Sequence, residues 1–168
     1  MKRLFYIAFT GVLFLVLTGC PMQKKMTMPI NEPHNFVDGN YTLKTECLGV
    51  NGDGSQTLKA WGNGRNRYEA VEQAKKNALR DVLFKGILNG KSDCDPKPIV
   101  TEVNAQVKYE PYFTNFFIEG SDYQLYVQQI ENPLERVYPD RSTVTYSVIL
   151  KVLKSELKQR MITDGILQ

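Results

Sequence analysis

The stretch "AWGNGRNRYEAVEQAKKNA", residues 60–78, decides the fold. An apolar pair, Ala60-Trp61, runs into Gly62-Asn63-Gly64, and a helical pattern follows. Asn66 stands where it can cap that helix, and Glu69, three residues on, completes a capping-box-like pair. Ala70, Val71, Ala74, Ala78, Val82 and Leu83 recur at helical spacing. Three alanines on one stripe allow close approach to a sheet. Glu72 and Lys76, four residues apart, make an expected ion pair on the other side. Strand, glycine loop, helix is also the order that cradles phosphates. A dinucleotide site, however, needs a third glycine where Arg67 stands. A Walker loop needs a Gly-Lys-Ser/Thr ending, and nothing near Gly62 supplies one. No nucleotide is therefore expected. The glycines are expected to permit positive φ or a tight approach between strand end and helix start.

Upstream, "YTLKTECL", 41–48, alternates as a strand with Tyr41, Leu43, Thr45 and Cys47 on one face. "Asn51-Gly52-Asp53-Gly54" is hairpin chemistry leading into a second strand, "QTLKAWG". Read as a calcium loop it fails in both registers. Counting from Asn51 puts Gln56 at the glycine position and Gly62 at the glutamate position, and counting from Asp53 puts Leu58 and Gly64 there.

Downstream, "NGKSDCDPKP", 89–98, reads as a loop, and 99–110 fits helix or strand. Pro111 sits at a helix start. Tyr109, Tyr112, Phe113, Phe116 and Phe117 then repeat at three- and four-residue steps. They form an aromatic stripe that is either core or a partner surface. "SDYQLYVQQI", 121–130, alternates as a strand. After the turn-rich stretch 131–140, "TVTYSVILKVL" places Val144, Tyr146, Val148, Leu150 and Val152 on one face. These two strands are expected to pair as a hairpin. A last helix carries Leu157 and Met161, with Gly165 placed to end it. The expected class is α+β. A small, mostly antiparallel sheet of about four strands runs in ββα-ββα order, and the alanine-striped helix and the C-terminal helix pack on it.

The chain opens "MKRLFYIAFTGVLFLVLTGC". Lys2 and Arg3 precede an apolar run from Leu4 to Leu17, too short for a good membrane-spanning helix. Leu17-Thr18-Gly19-Cys20 resembles the bacterial lipobox. That resemblance implies a signal peptide over 1–19, removed before Cys20. It also implies diacylglycerol on the Cys20 thiol and a further acyl chain, such as palmitate, on the new amino terminus. Several chains hold a protein on a membrane, at about 0.8 kcal/mol per buried CH₂. Residues 20–38 hold three prolines and little periodicity, and read as the lipidated start and a flexible tether. Residues 39–168 then form a single domain. No acidic residue stands beside Cys20 in "PMQKKMT", and by the same resemblance the expected place is the outer membrane, facing the periplasm.

Removing 1–19 takes Lys2 and Arg3 from the 21 basic residues, leaving 19 against 18 acidic. No large basic field remains, and nucleic-acid binding loses its main driving force. Of three cysteines, Cys47 and Cys94 are left in an oxidising compartment. They either pair or stand as a buried apolar residue and a loop thiol. The only histidine, His34, lies in the tether, so neither a zinc site nor a Ser-His-Asp triad is expected. Neither a metal nor another cofactor is expected.

Gly62, Gly64 and the stripe Ala70, Ala74, Ala78, followed by 121–130, 141–152 and 154–165, also carry a family resemblance. The span resembles small bacterial envelope lipoproteins and the amino-terminal domain of flagellar assembly protein T. The resemblance implies a compact α+β module with no known catalytic centre, used in envelope assembly or surface display. The expected function is thus non-enzymatic protein binding at the cell envelope. The alternatives are a peptidoglycan- or glycan-binding module and a glycan-acting enzyme. The last would use two of Glu102, Glu110, Glu119 and Asp122, near the aromatic segment.

Overall fold

Alternation along β2 (Gln56–Gly64) sets the architecture. Gln56, Leu58 and Ala60 are buried, while Thr57, Lys59 and Trp61 between them are half-exposed. In the computed structural model the described residues are 43–132 and 143–167, with the backbone alone at 136–137. Residues 1–42, among them Cys20, His34 and Tyr41, and most of 131–142 lie outside them, and with them the expected signal peptide and tether.

The remaining elements are β1 (Glu46–Val50), α1 (Arg67–Arg80) with a π-helical turn (Asp81–Lys85), β3 (Asn89–Gly90), α2 (Ala105–Lys108) and α3 (Glu110–Phe116). A 3-10 turn (Asp122–Tyr126), β4 (Val127–Gln129), β5 (Arg136–Val137), β6 (Val144–Val152) and α4 (Lys154–Thr163) complete the order. The sheet runs β3-β1-β2-β6-β4, with β5 also on β6. β3 joins β1 in parallel and the other pairings are antiparallel. The class is α+β, as expected. The sheet is mostly antiparallel, as expected, and the finer expectation of about four strands in ββα-ββα order differs from the six strands, one pair of them parallel, that the described residues place in it.

β2 and β6 pair over their full lengths, Leu58 opposite Leu150, Ala60 opposite Val148 and Gly62 opposite Tyr146. α1 lies on this face. Ala70, Ala74 and Ala78 are fully buried beneath it. The strand, read as "QTLKAWG" and so ending at Gly62, runs on through Gly64. Neither Gly62 nor Gly64 has positive φ. A Cβ on Gly62 would stand 2.9 Å from the Cα of Ala74 and nearer still to the Ala70 carbonyl oxygen. One on Gly64 would stand 2.6 Å from the Cβ of Glu69. Their role is close approach of helix to strand.

α1 begins as expected. The Asn66 side chain accepts from the Glu69 amide at 3.0 Å, while the Glu69 carboxylate accepts from the Arg65 amide at 3.0 Å. Its end closes in a Schellman-free π turn, whereas α4 ends in a Schellman motif. There the Gly165 amide donates to Ile162 at 3.0 Å and Ile166 to Met161 at 2.9 Å. Leu157, Met161 and Ile166 reach the core.

Three local readings are corrected. Residues 121–130 are not one strand. Tyr123 and Tyr126, three apart, turn inward on a 3-10 turn, and only Val127–Gln129 pairs with β6. The first strand starts at Glu46, residues 43–45 of the expected 41–48 being outside it, and is bulged between Cys47 and Gly49; Leu43 is 43% exposed. Glu72 pairs with Lys75 at 2.6 Å rather than with Lys76. It is buried because it accepts the Tyr123 hydroxyl at 2.7 Å, and Lys76 lies instead over the Tyr123 ring. Burial acts to raise the Glu72 carboxyl, but the hydrogen bonds from Lys75 and Tyr123 outweigh it and hold the group below its ordinary value. The same burial, with the bond to Glu72, pushes the Tyr123 hydroxyl up to about 12.

Candidate functional site

The aromatic segment divides by depth. Phe113, Phe116 and Phe117 are core residues, and Tyr109 and Tyr112 are half-buried against them. The stripe itself is therefore mostly interior. What it builds on its solvent side is a groove between the end of α1 and the α2–α3 segment.

Four features shape that groove. The first is the π turn, in which the Gly86 amide reaches back five residues to the Asp81 carbonyl at 2.7 Å. It buries Val82 and Leu83 and leaves Phe84 half-exposed at the groove. The second is residues 99–100, a pair outside any helix or strand that completes the hydrogen bonding of the helix end. Ile99 donates to the Val82 carbonyl at 3.0 Å and Val100 to that of Leu83 at 2.8 Å. The third is Asn104, held at φ 61°, a left-handed conformation that asparagine tolerates better than most side chains. It turns the chain into α2. The fourth is the rear anchor of α3. The Tyr112 hydroxyl donates to Asp164 at 2.6 Å, and Arg160 bridges Asp164 and Asp122 at 2.6 and 3.0 Å. Burial and the bond to Asp164 raise the Tyr112 hydroxyl.

The groove has two linked depressions that share Phe84 and Gln106. One, of about 480 Å³, runs from Pro98 and Val100 to Val107. The other, of about 320 Å³, holds Phe113, Phe117, Glu110 and Ile118. Phe84 meets Phe113 edge-on at 4.8 Å between ring centroids, and the Arg80 guanidinium lies over Phe117 at 4.8 Å. Along the rim Val103 is 83% exposed, Val107 74% and Ile118 53%. Large apolar side chains gathered this way on a surface mark an interaction site more often than scattered ones do. The sequence reading missed Val103, Val107 and Ile118. Its available signal was the four-residue step from Val103 to Val107 inside a segment whose period was ambiguous.

Cys47 and Cys94 are joined by a disulfide. It ties β1 to the loop that leads into Pro98 and Val100. Lys154 holds the same loop through the carbonyls of Asp95 and Lys97 at 3.0 and 2.9 Å. Of the acids considered for glycan chemistry, Glu102 pairs with Lys108 at 2.6 Å and Asp122 with Arg160 at 3.0 Å. Glu119 accepts the Tyr68 hydroxyl at 2.7 Å, and Glu110 lines the groove.

A smaller polar pit, about 200 Å³, lies beside Thr45, Asn77, Arg80, Asp81 and Lys85. Its side chains serve one another. Thr45 donates to Asp81, Lys85 pairs with Asp81 at 3.1 Å, and Asn77 donates to the Trp61 carbonyl at 2.9 Å. Among the described residues no group of three or more His, Cys, Asp or Glu could hold a metal ion. No helix among them is long and apolar enough to cross a membrane. No protein-family model matches the chain, and neither does a curated protein or a solved structure.

Proposed function

We propose that the chain is a bacterial lipoprotein, anchored through Cys20 and standing in the outer membrane facing the periplasm. Its domain works as a non-enzymatic protein-binding or assembly module of the cell envelope. The observation that carries this reading is the groove, with Val103, Val107 and Ile118 exposed above a floor of Phe84, Phe113 and Phe117. The Cys47–Cys94 disulfide supports export from a reducing cytoplasm. The resemblance to small envelope lipoproteins and to the amino-terminal domain of flagellar assembly protein T points the same way.

The test is copurification of the tagged, lipidated protein from gently solubilised membranes, against a Cys20→Ala control. A stoichiometric protein partner, lost or reduced without the anchor, is the expected result. A second reading, glycan binding or cleavage, draws on the place of Glu102 and Glu110 along the same groove. Bound glycan fragments without a protein partner would select it over the first. A Cys20→Ala protein that still fractionates with membranes and keeps its lipid label would overturn the anchor.

A further inference from the structure

The groove has an electrical polarity as well as an apolar floor. Residues 101–123 carry four acids, Glu102, Glu110, Glu119 and Asp122, against one base, Lys108, although the whole chain is +3. Lys108 is taken up by Glu102, and Asp122 by Arg160. Arg80, the cation in the groove, lies over the Phe117 ring. Glu110 lines the groove beside Ile118, and Glu119 follows Ile118 in the chain. Glu119 accepts the Tyr68 hydroxyl at 2.7 Å.

The shape constrains the occupant too. The groove's walls are the end of α1 with its π turn on one side and α2–α3 on the other. Among the described residues none of the sheet's strands lines it, so an extended guest would find no strand edge there to pair its backbone. A helical guest brings its own hydrogen bonds.

We propose that this groove receives a basic amphipathic helix of a partner protein. The helix lays its apolar face on Phe84, Val103, Val107 and Ile118 and its Lys or Arg flank against Glu110 and Glu119. The proposal rests on the adaptor reading and specifies the chemistry of its partner.

The test uses the full lipidated chain in nanodiscs of zwitterionic lipid, with empty nanodiscs as control. The probes are two fluorescent helical peptides of about 18 residues, roughly five turns. They share one leucine stripe and differ only in Lys or Glu flanks. The expected result is saturable binding of the Lys peptide, about ten-fold or more tighter than the Glu peptide, with a preference that shrinks as salt rises. Val107→Asp and Ile118→Asp are each expected to weaken it about ten-fold, and Glu110→Lys to erase the preference. All three positions are exposed, so an unchanged thermal midpoint confirms that each variant folds. Equal binding of both peptides, or binding indifferent to Val107→Asp and Ile118→Asp, overturns the proposal. So does a concentration-dependent dimer abolished by Val107→Asp, which would give the groove to a second copy. A membrane partner that copurifies equally well with the groove variants would remove this inference and leave the adaptor reading standing. A chain that captures no protein at all removes the adaptor reading itself.

Discussion

Gly62→Ala adds a single methyl group, and the structure says where it must go. The new Cβ would stand 2.9 Å from the Cα of Ala74, with the Ala70 carbonyl oxygen and the Ala74 amide nitrogen closer. Carbon atoms rest about 3.5–4.0 Å apart, so α1 must lift by roughly 1 Å. All three obstacles are backbone, and no side chain can swing aside. A gap of that size forfeits about a quarter to a half of each contact along the Ala70, Ala74, Ala78 stripe. Overpacking ordinarily costs about 1–3 kcal/mol, and a rigid backbone on both sides places this change at the upper end, about 3 kcal/mol. For a domain of this size that lowers the thermal midpoint by roughly 10 °C. Urea unfolding followed by circular dichroism reads the loss. Gly52→Ala is the matched control, because nothing lies within 4 Å of its added carbon and its φ is not positive. It should leave stability within about 0.5 kcal/mol of the parent. A Gly62→Ala protein as stable as Gly52→Ala would refute the close-packing account.

Other perturbations test other parts. Reducing the Cys47–Cys94 disulfide, which closes a loop of 47 residues, should destabilise the domain by about 2–4 kcal/mol in denaturant titrations with and without reductant. An unchanged midpoint would dismiss the bond as a brace. Asn66→Ala removes the acceptor for the Glu69 amide and should lower stability by about 1 kcal/mol, with Asn66→Asp close to neutral. Glu72 is held below its unfolded value, so its stabilising contribution is present above about pH 4.5 and is lost as pH falls through the lower folded value. Stability curves of the parent and of Glu72→Gln should therefore converge in acid and separate towards neutrality; parallel curves would exclude a coupled carboxylate.

Local chemistry made some elements legible. α1 was readable because its cap and its alanine stripe lie within a few residues of each other. β6 was readable because Val144, Tyr146, Val148, Leu150 and Val152 stand at every second position, although Thr145, Ser147 and Ile149 between them are buried as well. The close approach at Gly62 was one of two roles that glycine there allows, and only the position of Ala74 decides between them. The segment 99–119 resisted for a physical reason. Asn104 breaks its period by turning left-handed, and α2 lasts only four residues. Residues 99–100 take their hydrogen bonds from the end of a distant helix rather than from a regular ladder. β3 is two residues long and owes its existence to β1. Tyr123 looked like a strand residue because its partner, Glu72, is 51 residues away. The groove was hidden for the same reason. Phe84 reaches it through a π turn, and no local pattern announces where a helix will widen.

The pairing of β2 with β6 has a consequence for how the protein is made. β1, β2, α1 and both cysteines of the disulfide precede residue 95, but the strand that covers the long edge of β2 begins only at Val144. During synthesis, β2 therefore waits with a nine-residue edge open while some eighty residues follow it. Exposed edges of that kind recruit other chains. The early cross-link closes a ring around β2 and α1 and leaves that edge unguarded. A chain interrupted before Val144 would therefore be a self-associating fragment rather than a shorter working module. Quality control of this protein falls on the interval between its second strand and its last.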